Sequence, residues 1–217
     1  MSQATIHFIE YELQAIALIW MGVIYIIKIV QLSRLSMPWE RGAQAGNPKK
    51  GVMHSYGSIF MPWSMESSRK HGWRWLMFGL YHIGALVAIV NTFTLPFAPQ
   101  IMTENVKLLF AILIAPSVVI GLIKLVQRIV KPELRHISTF DDYFSLISLE
   151  AFLFFGVMVL LFDTPFWRIW YFIITAFFLF YVPFSKISHY IYFFFAHIIT
   201  GWRYGWRGII PQKTARS

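Results

Sequence analysis

The chain has 217 residues, of which 57% are apolar, 18% aromatic and only 13% charged, and its mean hydropathy is +0.57. A soluble domain carries about 25% charged residues, so the composition argues against an ordinary globular enzyme and for a membrane protein. The net charge of +9 is accounted for by topology and contact with anionic lipid, without a nucleic-acid partner. The absence of cysteine rules out disulfides, iron–sulfur clusters and thiolate haem ligands within this chain.

Five apolar blocks predict helices over residues 13–33, 75–95, 106–128, 143–162 and 166–197. Each supplies the roughly 20 apolar residues that cross a bilayer core of about 30 Å. The expectation is an all-α, integral membrane five-helix bundle in a single domain, 1–217. The first block is not a signal peptide by its flanks: Glu10 and Glu12 stand where basic residues belong, and no small-residue cleavage site follows. Residues 34–74 read as a loop and 198–217 as a tail. Of the 19 Lys and Arg residues, 17 fall near the end of the first helix (Lys28) or in that loop, in the stretch from Lys124 to Arg135, or around the end of the fifth helix and the tail. Lys107 and Arg168 remain for the other side. The positive-inside rule then places the N-terminus outside and the C-terminus in the cytoplasm.

The histidines sort by depth. His82 is expected about two turns into the second helix, and His189 about two turns before the end of the fifth, at one level of the bilayer. Two neutral imidazoles at matched depth on different helices suit the axial positions of a haem b. The alternative is two hydrogen-bonded packing residues. Gly79 and Gly84 flank His82 and would allow a porphyrin to approach, with Phe184, Tyr190 and residues 192–195 as an apolar wall. His7, His54, His71, His136 and His197 fall at helix ends or in loops, where solvated imidazoles are expected, and His197 marks the end of the fifth helix.

LYHIGAL at 80–86 and PFSKISHY at 183–190 resemble the haem-ligand segments of the gamma subunit of respiratory nitrate reductase, a five-helix membrane cytochrome b. KPELRHISTFDD at 131–142 is similar to that family's basic loop before the fourth helix. SMESSRKHGWRW and the short tail look closest to the membrane cytochromes of sulfate-reducer electron-transfer complexes. The resemblance implies a haem held by His82 and His189. It also implies a cytoplasmic iron–sulfur partner of the heterodisulfide-reductase type, other membrane subunits and a periplasmic multihaem cytochrome c. The family carries a second haem, but the matching ligand positions here are Thr92 and Tyr171, so one haem is expected. Lys107 aligns with a family lysine near the quinol site.

Glu150, two turns into the fourth helix, is an ionisable group at a costly depth. It is a candidate to relay a proton to a quinone, menaquinone being the suggested type, or else a carboxyl hydrogen-bonded between helices. Lys186 can snorkel to the interface and meet a haem propionate or a lipid phosphate. Arg135, with Asp141 and Asp142, is expected to form a charge network at the start of the fourth helix or beside a propionate. The Trp- and Arg-rich loop, with Trp39, Trp63, Trp202 and Trp206, suits docking of an iron–sulfur subunit, while Trp73 and Trp75 suit membrane anchoring. A haem-free membrane anchor is the competing function. A transporter is disfavoured because broken helices with converging midplane polar groups are not evident.

Overall fold

The computed structural model describes residues 3–36, 40–61, 63 and 69–211. Trp39, residues 64–68 of SMESSRKHGWRW, Lys213 and Arg216 lie outside them. Five helices are long and apolar enough to cross a membrane: α1 (Gln3–Ser33), α3 (Gly72–Phe97), α4 (Glu104–Val130), α6 (Phe140–Phe162) and a span over Pro165–Phe184 that begins with α7 (Pro165–Tyr181). The described residues also form the helices α2 (Pro48–Gly57), α5 (Pro132–Ile137) and α8 (His189–Trp206). Among the described residues the chain is all-helical, and its spans imply a bilayer environment and a multi-pass membrane protein. Bulky apolar side chains such as Ile19 (67%), Leu86 (61%) and Ile112 (59%) are exposed, as lipid-facing positions should be.

Local chemistry explains the helix limits. Thr139 and Asp142 form a reciprocal capping box that starts α6. Asp163 closes α6 in a left-handed conformation (φ 35°), which aspartate tolerates better than branched residues. Pro165 then occupies the first turn of α7, where its missing N–H costs nothing.

The first helix begins earlier than its apolar run, and a π-helical turn at Phe8–Glu12 interrupts it. The reason is an acidic group with a partner: Glu10 is buried, and Arg168 of α7 grips it with Nε to Oε1 at 2.8 Å and Nη2 to Oε2 at 3.1 Å. Gln14 secures the next turn by donating to the Ile9 carbonyl (3.0 Å) and to the Phe172 carbonyl (2.8 Å).

The fifth apolar block departs most from expectation. Residues 166–197 do not form one helix: α7 ends at Tyr181, two 3₁₀ turns follow at Val182–Phe184 and Lys186–Ser188, and α8 starts at His189. Pro183 removes a backbone donor, and Ser185 adopts an extended conformation (φ −90°, ψ 168°). The Ser185 hydroxyl then donates to Val182 O (3.0 Å) and accepts from Ile187 N–H (3.1 Å).

Where the sequence pattern predicted a single domain, the chain forms two compact units, Met1–Ile24 with Leu76–Ile187, and Tyr25–Trp75 with Ser188–Ser217. The first unit packs its helices around Tyr81, Ala88, Ile114, Phe152, Leu153 and Tyr171. The second turns the expected loop and tail into a helical hairpin of α2 and α8, packed backbone to backbone. A Cβ on Gly201 would lie 2.5 Å from Val52 Cα, and one on Gly205 would lie 2.9 Å from Gly51 Cα. His197 lies inside α8, not at a helix end, and its Nδ1 meets Ser55 Oγ at 2.8 Å. Glu40 clamps the far end, accepting from Arg203 Nε (2.6 Å) and from Arg207 Nε and Nη2 (3.0 Å each).

Arg168→Leu should strand the buried Glu10 charge and lower stability by about 3–5 kcal/mol, read as a fall in melting temperature of the detergent-solubilised chain, with Glu10→Gln restoring part of it. The hydrogen bonds from Arg207, with help from Arg203, hold the Glu40 carboxyl below its usual range against the effect of burial. The clamp's contribution is therefore complete above the ordinary glutamate pKa of about 4.3 and is lost as pH falls through the lower folded value. Fluorescence of Trp206, whose indole donates to Gly42 O, should stay flat down to that point and change below it, and Glu40→Gln should abolish the transition.

Candidate cofactor site

His82 is exposed on α3, one residue after the buried Tyr81. Its Nδ1 lies 2.8 Å from the Phe78 carbonyl. Since a carbonyl only accepts, Nδ1 carries the proton and the lone pair of the neutral ring resides on Nε2, the arrangement a metal-ligating imidazole needs. The Phe78 ring lies against it, tilted by 41°, with 4.1 Å between centroids. Gly79, one turn earlier, is bordered by open space: a Cβ there would meet nothing within 4 Å. Gly84 is a different case. A side chain there would collide with Ser117, whose Oγ donates to Leu80 O at 3.1 Å, so this glycine serves α3–α4 packing and not a porphyrin.

His189 belongs to the second unit, where it is the first residue of α8, after the Ser188 cap. It is exposed and adjoins Tyr190, whose hydroxyl bonds that of Tyr25 on α1. The corner preceding it is held by the start of α6. Asp141 accepts from Tyr181 OH (2.6 Å) and from Lys186 N–H (3.3 Å); Asp142 accepts from Lys186 Nζ (2.7 Å), which also reaches Thr139 Oγ1 (3.1 Å). The expected charge network at this helix start is present with other cations: Arg128 (3.5 Å) and Lys186 meet Asp142, and Arg135 does not. Lys186 is thereby committed to a carboxylate of its own chain.

Glu150 lies between helices. It is buried, Tyr81 OH donates to its Oε1 at 3.1 Å, and its Oε2 has no hydrogen-bond partner. Gly121 of α4 makes room for the carboxyl, since any Cβ there would overlap it. Lys124, one turn further along α4, sets its Nζ over the Tyr81 ring, 4.4 Å from the centroid. Lys107 stands in the other ion-pair network of this unit, 2.7 Å from Asp163 and 3.2 Å from Glu104.

Thr92 and Tyr171, which match the second ligand pair of the resembled family, do face each other. Their hydroxyls are 2.9 Å apart, Asn91 Nδ2 donates to Tyr171 OH (3.3 Å), and all three residues are buried. Protein side chains fill that level of the unit. Among the described residues no three His, Asp or Glu side chains converge as a metal-ion site would require; an axial pair requires two ligands.

The residues that sequence reasoning missed are Tyr81 and Gly121 around Glu150, and Asp141 and Asp142 as supports of the corner before His189. Tyr81 adjoins His82, and Gly121 is a lone glycine in an apolar run, so only the pairing across helices was hidden.

No family model, no curated protein and no solved structure matches this chain. What the fold defines is a class: an all-helical, multi-pass membrane protein with an exposed imidazole on a spanning helix and a buried carboxyl behind it.

Gly121→Ala should destabilise the chain by about 1–3 kcal/mol through overpacking. Glu150→Ala in the same chain should recover most of that loss in a detergent melt, because it removes the group the glycine accommodates.

Proposed function

We propose that the chain is a haem b membrane subunit of a respiratory redox complex, with His82 and His189 as axial ligands. The observation that carries this reading is His82: an imidazole in an apolar span, its Nδ1–H fixed by Phe78 O, its lone pair on Nε2, beside the open surface at Gly79. When bound, a b-type haem supplies a one-electron redox centre. The chain's own residues then have distinct tasks. Phe78 O orients the His82 ring, Asp141 and Asp142 hold the corner that leads into His189, and the Thr92–Tyr171 contact favours a single haem.

In this proposal the N-terminus is outside and the C-terminus cytoplasmic, in a bacterial or archaeal inner membrane. Electrons pass between the quinone pool or a periplasmic multihaem cytochrome c and a cytoplasmic iron–sulfur protein of the heterodisulfide-reductase type, with other membrane subunits alongside. Glu150 is assigned to proton exchange with a quinone head group, because its Oε2 is buried and without a donor. Full quinone reactivity in Glu150→Gln would remove that assignment. The alternative, a haem-free anchor of such a complex, shares the fold and differs in pigment.

Reduced pyridine haemochrome on the purified chain should give one haem b per polypeptide, and none in His82→Ala or His189→Ala at unchanged helix content. No haem in the wild type of an assembled complex leaves the anchor; two haems would require ligands beyond this pair.

A further inference from the structure

Charge is divided unequally between the two units. Residues 25–75 and 188–217 contain twelve of the nineteen Lys and Arg residues and two of the ten Asp and Glu residues, a net of +10. The other unit, with seven basic and eight acidic residues, nets −1. The entire positive charge of the chain thus belongs to the unit built on the α2–α8 hairpin. Within it Glu40 is the only carboxylate among the described residues, and Arg203 and Arg207 already engage it.

The hairpin has two unlike sides. Gly51 and Ser55 of α2 are buried, with Gly51 against the Gly201–Gly205 stretch of α8 and Ser55 bonded to His197. Lys49 and Met53 are two residues from Gly51, about 200° around the helix, and so face away from that seam. Lys49 and Lys50 are exposed, Met53 is 75% exposed, and Phe60 (79%) and Trp63 (66%) extend the apolar part beyond the helix end. A short helix with Lys on its outer side, followed by exposed aromatic residues, has the make-up of an element lying in the headgroup plane. The chain enters this unit directly from one spanning helix, α1, and leaves it into another, α3. Lysine is depleted at protein–protein interfaces but adds attraction to anionic lipid, so the composition favours a lipid occupant over a protein.

We propose that the outer side of α2, with Lys49, Lys50 and Met53, together with the exposed Phe60 and Trp63 that follow the helix, is a docking surface for anionic phospholipid headgroups. The cations meet the phosphates and the apolar side chains enter the headgroup–acyl boundary. The residues expected from sequence to form a docking loop for an iron–sulfur subunit thereby become a folded membrane-surface element.

Because the chain contains no cysteine, Met53→Cys carries a single environment-sensitive fluorophore in the full-length protein. The labelled protein is reconstituted into vesicles of phosphatidylcholine alone or mixed with phosphatidylglycerol, with and without brominated acyl chains. Emission should shift to the blue and be quenched by brominated lipid in the mixed vesicles, and high salt should reverse both effects. Lys49→Gln/Lys50→Gln should lower the docked-to-undocked ratio about thirtyfold, the effect of two surface cations. Both lysines are exposed and Lys50 uses only its backbone N–H toward Asn47, so helix content should not change. A label that stays aqueous in both vesicle types overturns the proposal, as does immersion equal in both and insensitive to salt. Shielding that appears only when an acidic protein is added to vesicles also overturns it and assigns the surface to a protein partner.

Discussion

A polar side chain inside a bilayer has no water to bond, so its partner must come from the protein. That constraint organises the first unit. Arg168 holds Glu10, Gln14 reaches the Phe172 carbonyl, Tyr171 joins Thr92 and Asn91, and Tyr81 meets Glu150. Each bond crosses between helices whose apolar surfaces would otherwise slide against one another, because lipid is as apolar as they are. Apolar packing fills the space, while the polar pairs fix the register.

The same constraint shapes the corner at residues 182–188. A proline and two serines break the helix where backbone groups lose their helical partners. Ser185 and Asp141 supply replacements, and Asp142 anchors the lysine side chain beside them. The PFSK-x-x-H segment is in this respect a bend with its own hydrogen-bonding scheme, and its histidine opens a new helix instead of sitting within an old one.

The five spans were legible in the sequence because a bilayer imposes length and apolarity directly: α3, α4 and α6 begin and end within a few residues of expectation, and α7 begins there. What misled was continuity of apolar composition. Residues 166–197 read as one helix because Phe, Tyr and Ile fit a corner as readily as a helix, and it is Pro183 with the local bonding of Ser185 that separates the two. The hairpin was hidden for the opposite reason: PKKGVMHSYG has almost no apolar periodicity, and its stability comes from glycines that admit another backbone. At the candidate site, Glu150 and His82 stood out by polarity alone. Gly84 was misassigned because a glycine that admits a cofactor and one that admits a neighbouring helix look alike in a sequence.

The glycine seam also sets an order of events. Gly51 and its partner Gly201 are 150 positions apart, and four spanning segments are made between them. At about 5–20 residues per second, α2 emerges roughly ten to thirty seconds before the stretch it packs on. During that interval α2 has local support, such as its Asn47 cap, without the stretch it packs on, and the first turns of a short helix are unfavourable alone. Closure of the α2–α8 pair is therefore a late, non-local step, in which α8 completes a unit whose α2 was made four spanning segments earlier.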